Sequence, residues 1–241
     1  MHFQFPAIGI IHSCFKEKFG IPRQPGLAPL AKAQLELLPP YDEPSSLDGL
    51  ESCSHIWVQF VFHANNCESW KPKVKPPRLG GNKTMGVFAT RSPVRPAPIG
   101  LSVVRLENIE NKDGKLLLNL SGIDFLDGTP VLDIKPYVPY VDSISDALNT
   151  FAPSAPTLIP VHMTTQQTAF CEDYQKSKGT DLAGLIRQIL QQDPRPAYQM
   201  PTIEKIYGMK LLDLDLRWRY QLTDEIDGKY VIHVEEILVI S

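Results

Sequence analysis

The sequence predicts a mainly β protein, an N-terminal single β-barrel followed by a small C-terminal α+β domain. Three observations carry that reading. Up to about Tyr140 the chain offers about seven short runs rich in β-branched and aromatic residues, and no amphipathic helix of ten or more residues. Twenty-two prolines in 241 residues favour turn-rich β architecture over a helical bundle. Near Asp142 the composition changes, and helical periodicity enters for the first time.

In chain order, Phe5 to Ile11 and Ala33 to Leu38 predict short strands, and His55 to Phe62 a buried one. Gly86 to Thr90, Gly100 to Ile109 and Lys115 to Ser121 follow, the last two joined through an Asp113-Gly114 turn of hairpin type. Pro130 to Ile134 adds another. Strands at such close intervals suggest a closed barrel, which leaves no exposed edge. Residues 143–160 are proline-rich and predict a linker between a barrel over 1–142 and a second unit over 161–241. Within the latter, Thr165 to Lys178 and Asp181 to Gln191 predict helices. The second helix lines up Leu182, Leu185, Ile186, Ile189 and Leu190, with Thr180 as N-cap and Asp193-Pro194 as terminator. Two long strands, Ile206 to Tyr220 and Lys229 to Ile240, then flank a turn containing Asp227-Gly228.

Charge is unevenly distributed. Ser69 to Leu106 holds eight basic residues and no acidic one, in a chain of net charge −3. Its prolines and glycines make it a shaped loop suited to anions, nucleic acid first among them. A solvated charged surface is the plainer reading of the same residues. The N-terminal stretch lacks a basic region ahead of a long apolar run, and no segment has the length and apolarity of a membrane span, so a cytoplasmic location is expected.

Several familiar chemistries are excluded. Lys83-Thr84 follows Gly80-Gly81, but Asn82 stands where a phosphate-binding loop needs glycine. No G-x-G-x-x-G opens a helix after a strand, which argues against a doubly wound nucleotide site. Cys53, His55, His63 and Cys67 tempt as metal ligands. A strand from His55 to His63 would hold its ends about 26 Å apart, too far for one ion, and no metal is expected.

Four segments carry residue types that folding alone does not require: Pro22-Arg23-Gln24-Pro25-Gly26, the stretch from Gly86 to Gly100 around Arg91 and Arg95, Leu126 to Tyr137, and Asp193 to Tyr198. Each presents Arg, Asp, Gln or Tyr on a proline-stiffened turn, which preorganises polar groups at little entropic cost. In this order they resemble the TsaA-like family over nearly the whole chain. The resemblance implies an S-adenosylmethionine-dependent tRNA methyltransferase, a homodimer with its donor at or near the dimer interface. The implied substrate is the threonylcarbamoyl-adenosine beside the anticodon, methylated on N6. One departure is Ala97, where family members often carry Asn.

A pocket for a sulfonium donor must hold a cation without trapping it, so aromatic faces, carbonyls and carboxylates suit the sulfur. Arg23, Gln24 and Arg91 suit the donor's carboxylate, ribose and adenine edge. The resemblance adds Pro22, His63, Ala64, Leu101, Leu126, Asp127, Gly128 and Thr129 to the donor set, with His63 closing over the adenine. The acceptor nitrogen bears a carbamoyl group and needs its proton removed. Asp193 and Tyr198 are the candidate bases, and Arg195 a fork for the threonyl carboxylate. Arg78, Arg95, Lys71, Lys73 and Lys75 are candidate phosphate contacts. Two rival readings are a non-catalytic RNA-binding barrel and a small-molecule methyltransferase on the same fold.

Overall fold

The computed structural model describes residues 2–65, 70–76, 84–195, 199–202, 204–224 and 229–240. Arg78, Tyr198, Cys67, Lys83 and the Asp227-Gly228 turn lie outside the described residues.

The first half is a closed barrel. Its strands are β1 (Gly9–Ser13), β2 (Lys32–Leu37) and β3 (His55–Val61), then, past the two-residue ribbon strands β4 (Lys73–Val74) and β5 (Met85–Gly86), β6 (Ile99–Lys112), β7 (Lys115–Ser121) and β8 (Thr129–Pro136). The antiparallel order β1-β2-β7-β6-β3-β8 closes where Gly9 pairs with Val131. Alternation decides which side chains enter: Ile56, Val58 and Phe60 of β3 point inward, as do Ala33, Leu35 and Leu37 of β2. Asp113 and Gly114 take φ of 52° and 76°, the left-handed pair that the predicted hairpin requires. Phe60 plugs the interior, 4.9 Å from the Phe125 ring at an interplanar angle of 80°. It can do so because its strand partner is Gly100, where a Cβ would fall 2.2 Å from the Phe60 ring.

Two strand expectations in the barrel half are corrected. Pairing begins at Gly9 rather than Phe5, and Phe3 and Phe5 are exposed. Val87–Ala89, expected within a strand, is a single 3-10 turn closed by the Thr90 hydroxyl donating to the Val87 carbonyl at 2.8 Å. That turn, with Pro93 beyond it, sets Arg91 on a bend.

After a single helical turn, α1 (Pro139–Asp142), the chain runs without regular structure to β9 (Val161–His162). Then come α2 (Thr165–Lys178), α3 (Leu182–Leu190), β10 (Tyr207–Leu211), β11 (Leu214–Asp224) and β12 (Lys229–Val239), with sheet order β10-β11-β12-β9. α2 starts in a capping box of Thr164 and Gln167 and ends at Gly179. The cap of α3 is Asp181, not Thr180: its carboxylate accepts from the Gly184 amide at 2.8 Å. The single strand expected over 206–220 is a hairpin, because Leu212 takes φ 58° and reverses the chain. Its amide donates to the Cys14 carbonyl at 2.7 Å, so a tertiary contact holds a turn that no local residue signals.

Segment 14–31 joins the two halves. Phe15 is fully buried and bridges to Leu211, Phe19 stacks on Trp218 at 5.8 Å, and the Leu30 amide donates to Gln188 at 2.8 Å. Trp218 is wholly buried between Phe19 and Tyr207 and is a core residue. One apolar cluster therefore runs from Ile11 and Leu35 in the barrel to Ile189 and Ile232 in the second half.

Candidate active site

The loop between β1 and β2, the bend after the Val87–Ala89 turn and the end of α3 converge on a single polar chain. An Arg91 guanidinium N–H donates to the Gln24 side-chain oxygen, and the Gln24 amide nitrogen donates to the Arg23 carbonyl. Arg23 in turn donates to the main-chain carbonyls of Arg195 at 2.9 Å and Asp193 at 3.4 Å. Residues read from sequence as donor-side and acceptor-side thus touch, although some 170 positions separate them.

Asp193 is a knot in that chain. It takes φ 52°, a left-handed conformation uncommon outside glycine, so surrounding contacts must hold it. Its Oδ1 accepts from the Tyr220 hydroxyl at 2.8 Å and lies 3.0 Å from Arg195 Nε. Burial first, and the Asp193 charge second, push the Tyr220 phenol far above its usual range, so it stays a donor to the carboxylate. The Arg195 guanidinium sits 5.2 Å from the Tyr220 ring centroid and 5.8 Å from that of Tyr230. Its charge is thereby kept in a largely enclosed cradle, with one N–H donating to the Gln199 carbonyl.

A second cluster surrounds the loop before β8. The Asp127 amide donates to the Phe15 carbonyl at 2.9 Å, and the Gly128 amide to that of Ile11 at 2.8 Å. Asp127 Oδ1 accepts from the Ser13 amide at 2.7 Å, and Lys16 Nζ stands 2.9 Å from Oδ2. The Thr129 hydroxyl and amide both donate to the Leu126 carbonyl, which closes the turn. Exposed His63 faces this loop: a Cβ on Gly128 would lie 3.9 Å from its Nε2. Lys18 donates to the Ala64 carbonyl beside it.

Between the clusters lies a residue that the sequence reading passed over. Asp124 has an Oδ1 that accepts from the Ser102 hydroxyl at 2.7 Å, and burial pushes its carboxyl up to about 6 against the lowering effects of that bond and of Arg91. Lys16, Lys18 and Tyr220 were passed over too. The signal for Asp124 was a lone charge inside the apolar run Ile123-Asp124-Phe125-Leu126.

Other expected residues stand apart. Leu101 points out from β6 and is half exposed on the outer barrel face. Pro22 is buried behind Arg23. Arg95 donates to the Thr90 carbonyl at 3.2 Å and lies 6.0 Å from the Phe88 centroid, so it braces the bend that carries Arg91. Lys71, Lys73 and Lys75 are exposed. Among the described residues no group of three or more His, Cys, Asp or Glu side chains is arranged to hold a metal.

A closed antiparallel barrel with arginine, glutamine and carboxylate groups gathered where a second α+β unit joins it defines a mainly β barrel protein, not a doubly wound one. The chain belongs to the tRNA-methyltransferase O family: that family's N-terminal domain matches residues 10–143, and its C-terminal domain matches 156–237. It is 53% identical over 219 residues to a putative S-adenosylmethionine-dependent methyltransferase, RcsF, of Pseudomonas aeruginosa, covering 91% of this chain and 93% of that protein. It is 46% identical over 221 residues to the tRNA (adenine(37)-N6)-methyltransferase of Escherichia coli, covering 90% and 93%. A crystal structure of TrmO from Pseudomonas aeruginosa superposes with a TM-score of 0.78 at 45% identity, covering 98% of this chain and 99% of that one.

Proposed function

We propose that this protein transfers a methyl group from S-adenosylmethionine to N6 of the adenosine at position 37 of tRNA, beside the anticodon, in its threonylcarbamoyl form. The observation that carries the reading is the hydrogen-bonded chain from Arg91 through Gln24 and Arg23 to Asp193 and Arg195, which ties residues suited to the donor to residues suited to the acceptor. The names of the relatives fit it.

The residues suit the donor. S-adenosylmethionine supplies an electrophilic methyl group when bound. Arg91 and Arg23 offer guanidinium N–H groups to its carboxylate, Gln24 a hydrogen-bonding amide, and His63 a ring over the open space at Gly128. Asp127 offers a carboxylate near His63, its charge shared with Lys16. For the acceptor, Arg195 would pair with the threonyl carboxylate, and its release from Asp193 would free the Asp193 carboxylate to take the N6 proton while the donor's S–CH3 bond breaks, the N–CH3 bond forms and the neutral thioether leaves. Tyr198 is a second candidate base. Arg78, Arg95 and the exposed lysines of the basic segment contact the anticodon-loop phosphates.

The protein acts as a homodimer in the cytoplasm. No helix among the described residues is long and apolar enough to cross a membrane. Ile99 and Leu101 on β6, Phe88 before it, and Tyr140, Val141 and Ile144 around α1 are all exposed apolar side chains. A second copy packed there would bring Leu101 toward a donor site. Leu101→Asp is expected to shift the protein from dimer to monomer by light scattering and to lower methyl transfer at least about tenfold, since a charge buried in an apolar interface is strongly unfavourable. An unchanged dimer would move the interface elsewhere.

The deciding test of the reaction is mass spectrometry of tRNA nucleosides from cells lacking this gene. Loss of the methyl from threonylcarbamoyl-adenosine, restored by the gene, is the expected result. An unaltered nucleoside profile overturns the reading.

A further inference from the structure

Tyr220 reaches the acceptor residues from the core. On β11 the side chains of Leu214, Leu216, Trp218 and Tyr220 alternate inward, each 1% exposed or less, while Arg217 and Arg219 face solvent. An apolar side chain would continue that row; a phenol adds a hydroxyl that must find an acceptor once buried. It finds Asp193 Oδ1 at 2.8 Å, 27 positions away in sequence. Tyr207 braces the Tyr220 ring edge-on, with centroids 5.2 Å apart at an interplanar angle of 80°, so the sheet sets its direction.

Two groups touch Asp193 Oδ1, and they differ in kind. The Tyr220 hydroxyl makes a hydrogen bond of ordinary length. Arg195 Nε stands 3.0 Å away, yet among the described residues it is buried without an aligned hydrogen bond. The guanidinium instead lies over the rings of Tyr220 and Tyr230 and donates one N–H to the Gln199 carbonyl. An arginine held by charge and by ring faces can turn toward an incoming carboxylate. A hydroxyl on a packed strand stays where it is. Neither of these two contacts engages Oδ2.

We propose that Tyr220 is a positioning residue for methyl transfer: its hydroxyl remains on Asp193 Oδ1 when Arg195 turns to the threonyl carboxylate, and so keeps Oδ2 aimed at the N6 proton. This role rests on the assignment of Asp193 as base made above. Asp193 needs such a hold because its φ is 52°, a conformation kept only under restraint from its surroundings. Arg23 ties its main-chain carbonyl at 3.4 Å, which does not orient the side chain. Burial and the neighbouring carboxylate keep the phenol protonated, so Tyr220 is a donor to the base and not a base itself.

The experiment is single-turnover methylation of tRNA carrying the threonylcarbamoyl group, with the whole protein in excess over tRNA and S-adenosylmethionine saturating. Tyr220→Phe keeps the ring beneath Arg195 and deletes the hydroxyl alone. Its maximal rate constant should fall about tenfold. The protein concentration that gives half the maximal rate, and donor affinity by calorimetry, should stay within about twofold of wild type. Combined with Asp193→Asn, it should be no slower than Asp193→Asn alone, because the hydroxyl then has no base to aim. A merely structural loss would lower the melting temperature and the reaction amplitude, leave the rate constant of the folded fraction intact, and add to the effect of Asp193→Asn. Should Tyr220→Phe melt early, the rate constant is read below its transition, where it does not depend on the folded fraction. A full rate constant in Tyr220→Phe, or a defect that multiplies that of Asp193→Asn, overturns the role. A full rate in Asp193→Asn overturns the base assignment and this role with it, whereas a wild type that transfers no methyl group to tRNA overturns the proposed reaction.

Discussion

Arg91→Ala is expected to raise the dissociation constant for S-adenosylmethionine about 10- to 100-fold while the protein stays folded. Losing a charge-assisted pair is worth about 1.5 to 3 kcal/mol, which sets that range. The fold should survive because Arg91 is exposed and its side-chain hydrogen bond goes to Gln24, on the surface, rather than into the core. The bend that presents it is held by its own bonds, the Thr90 hydroxyl on Val87 and Arg95 on the Thr90 carbonyl, and both remain in the variant. Calorimetry on a variant with wild-type melting behaviour is the check. Unchanged affinity in that folded variant removes Arg91 from the donor site. Gln24→Ala should follow in the same direction with a smaller loss, since it orients the guanidinium without bearing charge.

Much of this was legible in the chain because it follows from local rules. Barrel strands announce themselves through inward alternation such as Ile56, Val58 and Phe60, and the Asp113-Gly114 turn through the residues a left-handed pair demands. The basic, proline-stiffened segment could be read because composition alone singles it out. What was hidden depends on partners remote in sequence. Nothing near Leu212 marks a turn, and only the Cys14 carbonyl makes the reversal worthwhile. The Val87–Ala89 stretch has the makeup of a strand, yet the Thr90 hydroxyl curls it into a 3-10 turn. The cap of α3 falls one residue later than expected because the Asp181 carboxylate accepts from the Gly184 amide, three residues on. In the site, sequence could propose the parts but not their connection. The Arg23 bonds to residues 193 and 195 are tertiary, and they turn two separate lists of residues into one constellation.

That connection bears on how the acceptor side should respond to mutation. Asp193→Asn is expected to lower single-turnover methyl transfer by about two or more powers of ten, the scale of losing a general base, while donor affinity changes little. Asn can still accept from the Tyr220 hydroxyl, and the main-chain carbonyl that Arg23 uses is untouched, so the geometry should hold. What is lost is the charge that faces Arg195 at 3.0 Å and the capacity to take a proton. Arg195→Ala should behave differently. It removes the fork for the threonyl carboxylate, so the defect should be largest on tRNA carrying the threonylcarbamoyl group and small on tRNA lacking it. It also empties the space between Tyr220 and Tyr230, so a melting curve must accompany the kinetics. The decisive pattern is a rate loss at saturating donor in both variants, with substrate dependence in Arg195→Ala alone. If both lose donor affinity and recover full turnover at saturating donor, the bonds from Arg23 to this loop serve the donor pocket, and the proton leaves by another route.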